Sequence, residues 1–202
     1  SNFRIKKIIY HQNIKIYIFL LILVIFLLLE FLSLNFPLNK IDIFHDGQRL
    51  SSAIKSKIDG SLWSGSYVSV GIFYETLGTK LAWKFFQNET IGSMKVLDLF
   101  YTLITKILLV FLAFEITKYV NLTNRYKILY FLLTSFILFS IIDYNLNSVD
   151  VISFREIPIL LSLILFVNTF HSESIVNYFL IALLSVLTFF WSIDRALVLS
   201  LF

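Results

Sequence analysis

The chain lacks cysteine and is poor in proline, glycine and charge. Its 202 residues include no cysteine, two prolines and six glycines. The absence of cysteine excludes disulfides, thiolate catalysis and cysteine-ligated metal. Charged residues make up 15% of the chain, whereas soluble domains carry roughly 25%. The sequence therefore lacks the polar surface that a water-soluble domain of this size needs.

Apolar residues are abundant and are gathered into long runs. They make up 58% of the chain, and the mean hydropathy is +0.83. A helix needs about 20 apolar residues to cross a bilayer. Runs that reach or approach this length cover residues 16–36, 96–119, 126–142, 157–170 and 175–193, and a sixth begins where the fifth ends. The pattern predicts an all-α polytopic membrane protein with about five to six transmembrane helices.

We interpret residues 1–202 as a single transmembrane helical domain. Because the chain begins with Ser1 rather than methionine, and an apolar run simply stops at its end, we expect it to be the N-terminal part of a larger membrane protein.

The basic residues indicate how the chain is oriented in the membrane. The net charge is +4, and acid-free basic groups lie in residues 1–15 and 118–127. Cytoplasmic connections are enriched in Lys and Arg, so both segments are predicted to be cytoplasmic and residues 40–95 to be outside. Basic residues placed beside apolar runs do not form a nucleic-acid surface. We expect a bacterial inner (plasma) membrane protein with a cytoplasmic N-terminus.

The long outer connection shows two amphipathic patterns. Apolar residues at helical spacing are Leu50, Ala53, Ile54 and Ile58 in the first pattern and Leu77, Leu81 and Phe85 in the second. Basic or polar residues occupy the remaining positions of each pattern. Such segments are typical of helices that lie in the membrane interface. An ordinary structured loop is the alternative.

A polar cluster follows the first apolar run closely. Asp42, His45 and Asp46 lie within five residues, and Gly47 follows them. An acid beside a histidine is a candidate station for proton transfer or for binding a divalent cation. The alternative is a loop that is polar only because it lies in water.

Two further connections on the same predicted face carry charged pairs. The first contains Asp143, Asp150 and the pair Arg155–Glu156, and the second contains Asp194–Arg195. Carboxylates and guanidiniums that meet at one rim favour a functional site. A general acid excess in outside loops is the alternative.

Two ionisable residues lie within apolar runs. Glu30 falls near the outer end of the first run, and Lys106 falls near the middle of the second. Because charges at such depth usually have partners, we predict a structural Glu30–Lys106 pair. A transport relay is the alternative.

The order of one span, an acidic motif, two interfacial helices, a second span and an acidic outer loop resembles the N-terminal half of the GT-C superfamily. These polytopic glycosyltransferases take sugars from polyprenyl-phosphate donors. The resemblance implies that Asp46 (or Asp42) is a base or metal ligand and that Glu156 (or Asp150) is a second acid. It also implies that Arg155 or Arg195 binds the lipid phosphate. Many members carry adjacent acids where this chain has His45–Asp46.

The predicted site therefore contains catalytic and substrate-binding residues. The catalytic set is Asp46, His45 and Glu156, with His45 tuning Asp46, and the substrate-binding set is Arg155, Arg195, Asp194 and Asp42. The expected partners are membrane lipid and a polyprenyl-phosphate-linked sugar, and no nucleic acid. A non-enzymatic transporter or scaffold subunit, in which Glu30 and Lys106 are the important residues, is the alternative.

Overall fold

The computed structural model describes residues 17–29, 31–32, 41–62, 71–141, 151–170 and 174–200. All regular structure in these ranges is helical, which confirms the all-α prediction. The helices are α1 (Tyr17–Leu29), α2 (Ile43–Ile58), a π-helical segment (Phe73–Leu77), α3 (Gly78–Phe86), α4 (Ile91–Tyr119), α5 (Asn124–Ile141), α6 (Val151–Thr169), α7 (Ile175–Trp191) and α8 (Ile193–Leu199). Glu30, Asp143 and Asp150 lie outside the described residues, so the expected Glu30–Lys106 pair cannot be placed.

The central helix of the described structure is α4, which contacts α3, α5 and α6. Thr90 caps its N-terminus, because the Thr90 side chain accepts a hydrogen bond from the Ser93 amide at 3.3 Å. Its 29 residues correspond to a length of roughly 43 Å. Within the described ranges, it is the one helix whose length and composition suit a membrane crossing. The helix lengths therefore support one span, and the larger number remains a proposal.

Two apolar clusters hold the other helices against α4. One joins Leu20 and Leu27 of α1 to Val110 of α4 and Phe131 of α5. The second joins α4 to Leu160 of α6. Since α4 contributes to both clusters, it fixes the positions of the helices around it.

Polar side chains lie inside the structure and large apolar side chains lie on its surface. The α4 residues Asp98, Thr102, Thr105 and Lys106, which share one helical face, are all buried. On the outside, Phe136 of α5 is 70% exposed and Ile175 of α7 is 83% exposed. Extensive apolar surface of this kind is unusual for a soluble monomer and is typical of contact with lipid or a partner.

The beginning of α6 differs from the sequence prediction. An acid-rich connection was expected to continue through Glu156, but α6 begins at Val151 and includes Arg155, Glu156 and Pro158. The charges of Arg155 and Glu156 are accommodated in these first turns because Arg155 pairs with Asp194 of α8 and Glu156 pairs with Arg195 of α8. The prediction was wrong here because the sequence does not show which residues of another helix pair with a charged residue.

The π-helical segment is anchored on the junction between α7 and α8. Phe73 stacks on Trp191 with ring centroids 4.2 Å apart and an interplanar angle of 10°. Just before the segment, a Cβ atom at Gly71 would lie 2.5 Å from the carbonyl oxygen of Trp191. A glycine is therefore needed at this point for the two backbones to approach each other.

We expect Gly71→Ala to destabilise the protein by about 1–3 kcal/mol, because the added methyl group must displace the Trp191 backbone. Unfolding of the purified protein in detergent measures this effect. Gly47→Ala is the matched control, since a Cβ there meets nothing within 4 Å and alanine suits a helix interior better than glycine. Equal stability of both variants would contradict the proposed close packing.

Candidate functional site

Helix α2 turns a polar face toward the protein interior. Its first turn is capped by Asp42, whose carboxylate accepts hydrogen bonds from the amides of Phe44 and His45 at 3.0 and 3.1 Å. The buried residues of α2, at helical spacing, are Asp46, Arg49, Ser52, Ala53 and Ser56. The exposed apolar ones include Ile43, Phe44, Ile54 and Ile58. A helix is thus present where the first amphipathic pattern predicted one, and its residues Asp46 and Arg49 are buried against α4.

Asp46 forms a buried ion pair with Lys95 in the first turns of α4. The Lys95 Nζ lies 2.8 Å from Asp46 Oδ2, and the two side chains are 7% and 1% exposed. The same oxygen accepts a hydrogen bond from the Asp42 amide at 2.9 Å. The other oxygen, Oδ1, is buried and has no hydrogen-bond partner among the described residues. Asp46 therefore presents one engaged oxygen and one available acceptor.

One turn further along both helices, Arg49 makes two parallel hydrogen bonds to Asp98. Nη1 donates to Oδ2 at 2.7 Å, and Nη2 donates to Oδ1 at 2.8 Å. Burial opposes the charged form of Arg49, but the charge and hydrogen bonds of Asp98 outweigh it and raise the pKa of the guanidinium. This bidentate geometry is the strongest form of an arginine–carboxylate contact.

Tyr74 of the π-helical segment links the α2 side of the site to α6. The guanidinium carbons of Arg49 and Arg155 lie 5.1 and 5.0 Å from the centre of its ring, within the range of a cation–π contact. Burial raises the pKa of Tyr74 to about 12, although the two arginines oppose the change. The buried phenol therefore holds its proton more strongly than an exposed tyrosine does.

The charged pairs of α6 and α8 are formed across the two helices. Arg155 Nη1 donates to Asp194 Oδ2 at 3.1 Å, and Arg195 Nη2 lies 2.6 Å from Glu156 Oε1. Burial alone would raise the pKa of Asp194, but a hydrogen bond from Ser192 and the charges of both arginines lower it. The Nε atoms of Arg155 and Arg195 are buried and have no hydrogen-bond partner among the described residues. The four residues predicted from two separate connections thus lie together.

His45 has a different partner from the one expected. Its Nδ1 lies 2.6 Å from Asp42 Oδ2, and the two side chains are 44% and 49% exposed. The hydrogen bond from His45 lowers the pKa of Asp42. The expected tuning of Asp46 by His45 is therefore not visible as a contact, since Asp46 is held by Lys95 and the Asp42 amide.

Several residues of the site were not selected from the sequence, namely Arg49, Tyr74, Lys95 and Asp98. Lys95 and Asp98 gave a usable signal, because they lie at i, i+3 spacing at the start of an apolar run. Tyr74 gave none. A further contact in this region joins Gln48 to the buried Glu75 at 2.5 Å.

We call the eight charged residues of these pairs the ion cluster. They are Arg49, Lys95, Arg155 and Arg195 with Asp46, Asp98, Glu156 and Asp194. Four cations face four carboxylates, so the cluster is neutral overall when all eight groups are charged. In the part of the chain that the structure describes, no three acidic or histidine side chains converge in a way that could hold a metal ion.

Comparisons of the chain with protein-family models, with curated proteins and with solved structures gave no match.

Proposed function

We propose that the chain is a polytopic membrane glycosyltransferase that takes a sugar from a polyprenyl-phosphate donor on the outer face of a bacterial plasma membrane. The observation that supports this proposal is the ion cluster, which pairs residues of α2 with α4 and of α6 with α8. Tyr74 links the two halves, because both Arg49 and Arg155 lie against its ring. The ion cluster lies at the end of α4 that contains Lys95 and Asp98. With a cytoplasmic N-terminus, that end of α4 faces outward.

The arginines of α6 and α8 would bind the donor phosphate. Arg155 and Arg195 each keep a buried Nε–H donor that has no partner among the described residues. Phosphate oxygens are suitable acceptors for such donors, and guanidinium groups bind them in bidentate fashion. Asp194 and Glu156 hold the two guanidiniums in position.

Asp46 would act as the general base. In the transfer step, an acceptor hydroxyl oxygen bonds to the anomeric carbon while the bond from that carbon to the phosphate oxygen breaks. Polyprenyl phosphate leaves with the electron pair, and the hydroxyl proton moves to Asp46 Oδ1. Lys95 holds the other carboxylate oxygen at 2.8 Å. Because Asp46 is fully buried, the acceptor reaches it only after a local opening of the contact between α2 and α4.

We expect Asp46→Asn to lower sugar transfer at least about 100-fold, because the amide cannot accept the proton. The assay measures the transfer of radiolabelled sugar from polyprenyl-phosphate mannose and from polyprenyl-phosphate aminoarabinose by the full-length protein in proteoliposomes. Asp59→Asn is the matched control, since Asp59 lies exposed at the end of the same helix. Full turnover by Asp46→Asn would refute the assignment of the base.

The second candidate function is a non-enzymatic transporter or scaffold subunit. It is favoured by Lys106, which is only 6% exposed near the middle of the apolar helix α4. Intramembrane cations are costly and commonly functional. In that case Lys106→Met would abolish the function, whereas Asp46→Asn would act only through the stability of the fold.

A further inference from the structure

A cleft with a basic rim lies between the end of α2 and helix α3. Its volume is about 420 Å³, and its apolar side is formed by Leu77, Leu81 and Trp83. Trp83 is fixed in place because its indole N–H donates to the Thr90 carbonyl at 3.2 Å. The volume falls within the range of small-molecule binding sites. None of these residues belongs to the ion cluster.

Three lysines border the cleft: Lys57, Lys80 and Lys84. Lys57 is paired with Glu89 at 2.5 Å, but both side chains are more than half exposed. Lys80 donates one hydrogen bond to the Ser56 hydroxyl at 3.2 Å. Since each ammonium group has three donors, these contacts leave donors available. Three lysines and one glutamate give the lining a net charge of +2.

Apolar side chains project from both helices beside the lysines. Ile58 of α2 is 77% exposed, and Phe85 of α3 is 75% exposed. A lysine rim next to exposed apolar side chains is typical of helices that lie at the surface of an anionic membrane. The cleft therefore offers cations for a head group and apolar surface for acyl chains.

We propose that this cleft binds an anionic phospholipid of the surrounding membrane, with the phosphate against Lys80 and Lys84. Charge complementarity supports this occupant, because a zwitterionic head group would bring its own cation toward a lining of charge +2. The bound lipid packs its glycerol and upper acyl region on Leu81 and Trp83. The site is separate from the proposed donor site and does not depend on any transferase activity.

The test compares lipid retention in the full-length protein. Wild-type protein is equilibrated in nanodiscs with equal parts of phosphatidylcholine and phosphatidylglycerol, and co-purifying lipid is counted by native mass spectrometry. We expect Lys80→Gln/Lys84→Gln to lower the ratio of retained phosphatidylglycerol to retained phosphatidylcholine about 25-fold, or about fivefold for each lysine. Lys55→Gln is the matched control, because Lys55 is exposed on α2 and does not line the cleft. Lys80→Arg/Lys84→Arg should retain phosphatidylglycerol as the wild type does, because it keeps both positive charges.

Three outcomes would overturn the proposal. The first is an equal loss of phosphatidylglycerol in Lys55→Gln, which would indicate diffuse surface attraction and no defined site. The second is displacement of the retained lipid by equimolar polyprenyl phosphate, which would assign the cleft to the carrier lipid. Unfolding curves of the glutamine variants in detergent check that the fold is kept. Retention unchanged in the double glutamine variant would also refute the site.

Discussion

Removing one member of the buried Arg49–Asp98 pair is expected to lower the free energy of unfolding by about 3–5 kcal/mol. The two side chains are only 3% and 7% exposed and are joined by two hydrogen bonds. Asp98→Asn leaves the buried guanidinium without its counter-charge. Arg49→Met leaves the carboxylate in the same position and also removes the cation from Tyr74. Denaturant unfolding of the purified protein in detergent measures both losses.

The double variant Arg49→Met/Asp98→Asn should recover part of this loss, since it contains no unpaired charge. The control pair is Lys57–Glu89, which is 58% and 55% exposed. Removing either member of that pair should cost less than about 1 kcal/mol, because water screens the interaction. Strict additivity in the Arg49–Asp98 cycle would show that the two residues do not depend on each other.

The helices were predictable because hydrophobic periodicity is a local property of the sequence. The two amphipathic helices of the long connection were expected from spacing alone, and they are α2 and α3. The same spacing places Asp98 and Lys106 on one face of α4, and both residues are buried. Each of these predictions needs only the 3.6-residue period of one helix.

The partners within the site could not be predicted, because they depend on how separate helices are rotated against each other. Arg155 is adjacent to Glu156 in sequence, yet it pairs with Asp194, which lies 39 residues away. His45 was expected to tune its neighbour Asp46, but the partner of Asp46 is Lys95 on another helix. A periodic pattern shows which face of a helix is apolar and which is polar. It does not show which residue of another helix lies opposite.

The ion cluster also explains why charge is tolerated in so apolar a chain. Every charged group in it has a partner of opposite sign within 4 Å. Removing charges from water is costly, and the cost is offset only when the partners are well placed. Replacing a buried ion pair by well-packed apolar residues often costs little or no stability. Their presence on four helices therefore favours a role in binding or chemistry.

The Asp46–Lys95 pair allows that role to be separated from stability. Lys95→Met alone should lower the free energy of unfolding by about 3–5 kcal/mol, because it leaves a buried carboxylate without its counter-charge. Adding Asp46→Asn removes the unpaired charge, so the double variant should be more stable than Lys95→Met. Thermal unfolding of the purified variants measures this recovery.

Sugar transfer should not recover together with stability. If Asp46 is the base, the double variant Asp46→Asn/Lys95→Met regains its fold but stays at least about 100-fold below wild type in transfer. If the pair only supports the fold, transfer returns in step with the unfolding temperature. The Arg49→Met/Asp98→Asn variant is measured in parallel, since it alters a neighbouring buried pair without touching the proposed base. Wild-type turnover in the Asp46→Asn/Lys95→Met variant would therefore assign Asp46 a structural role alone.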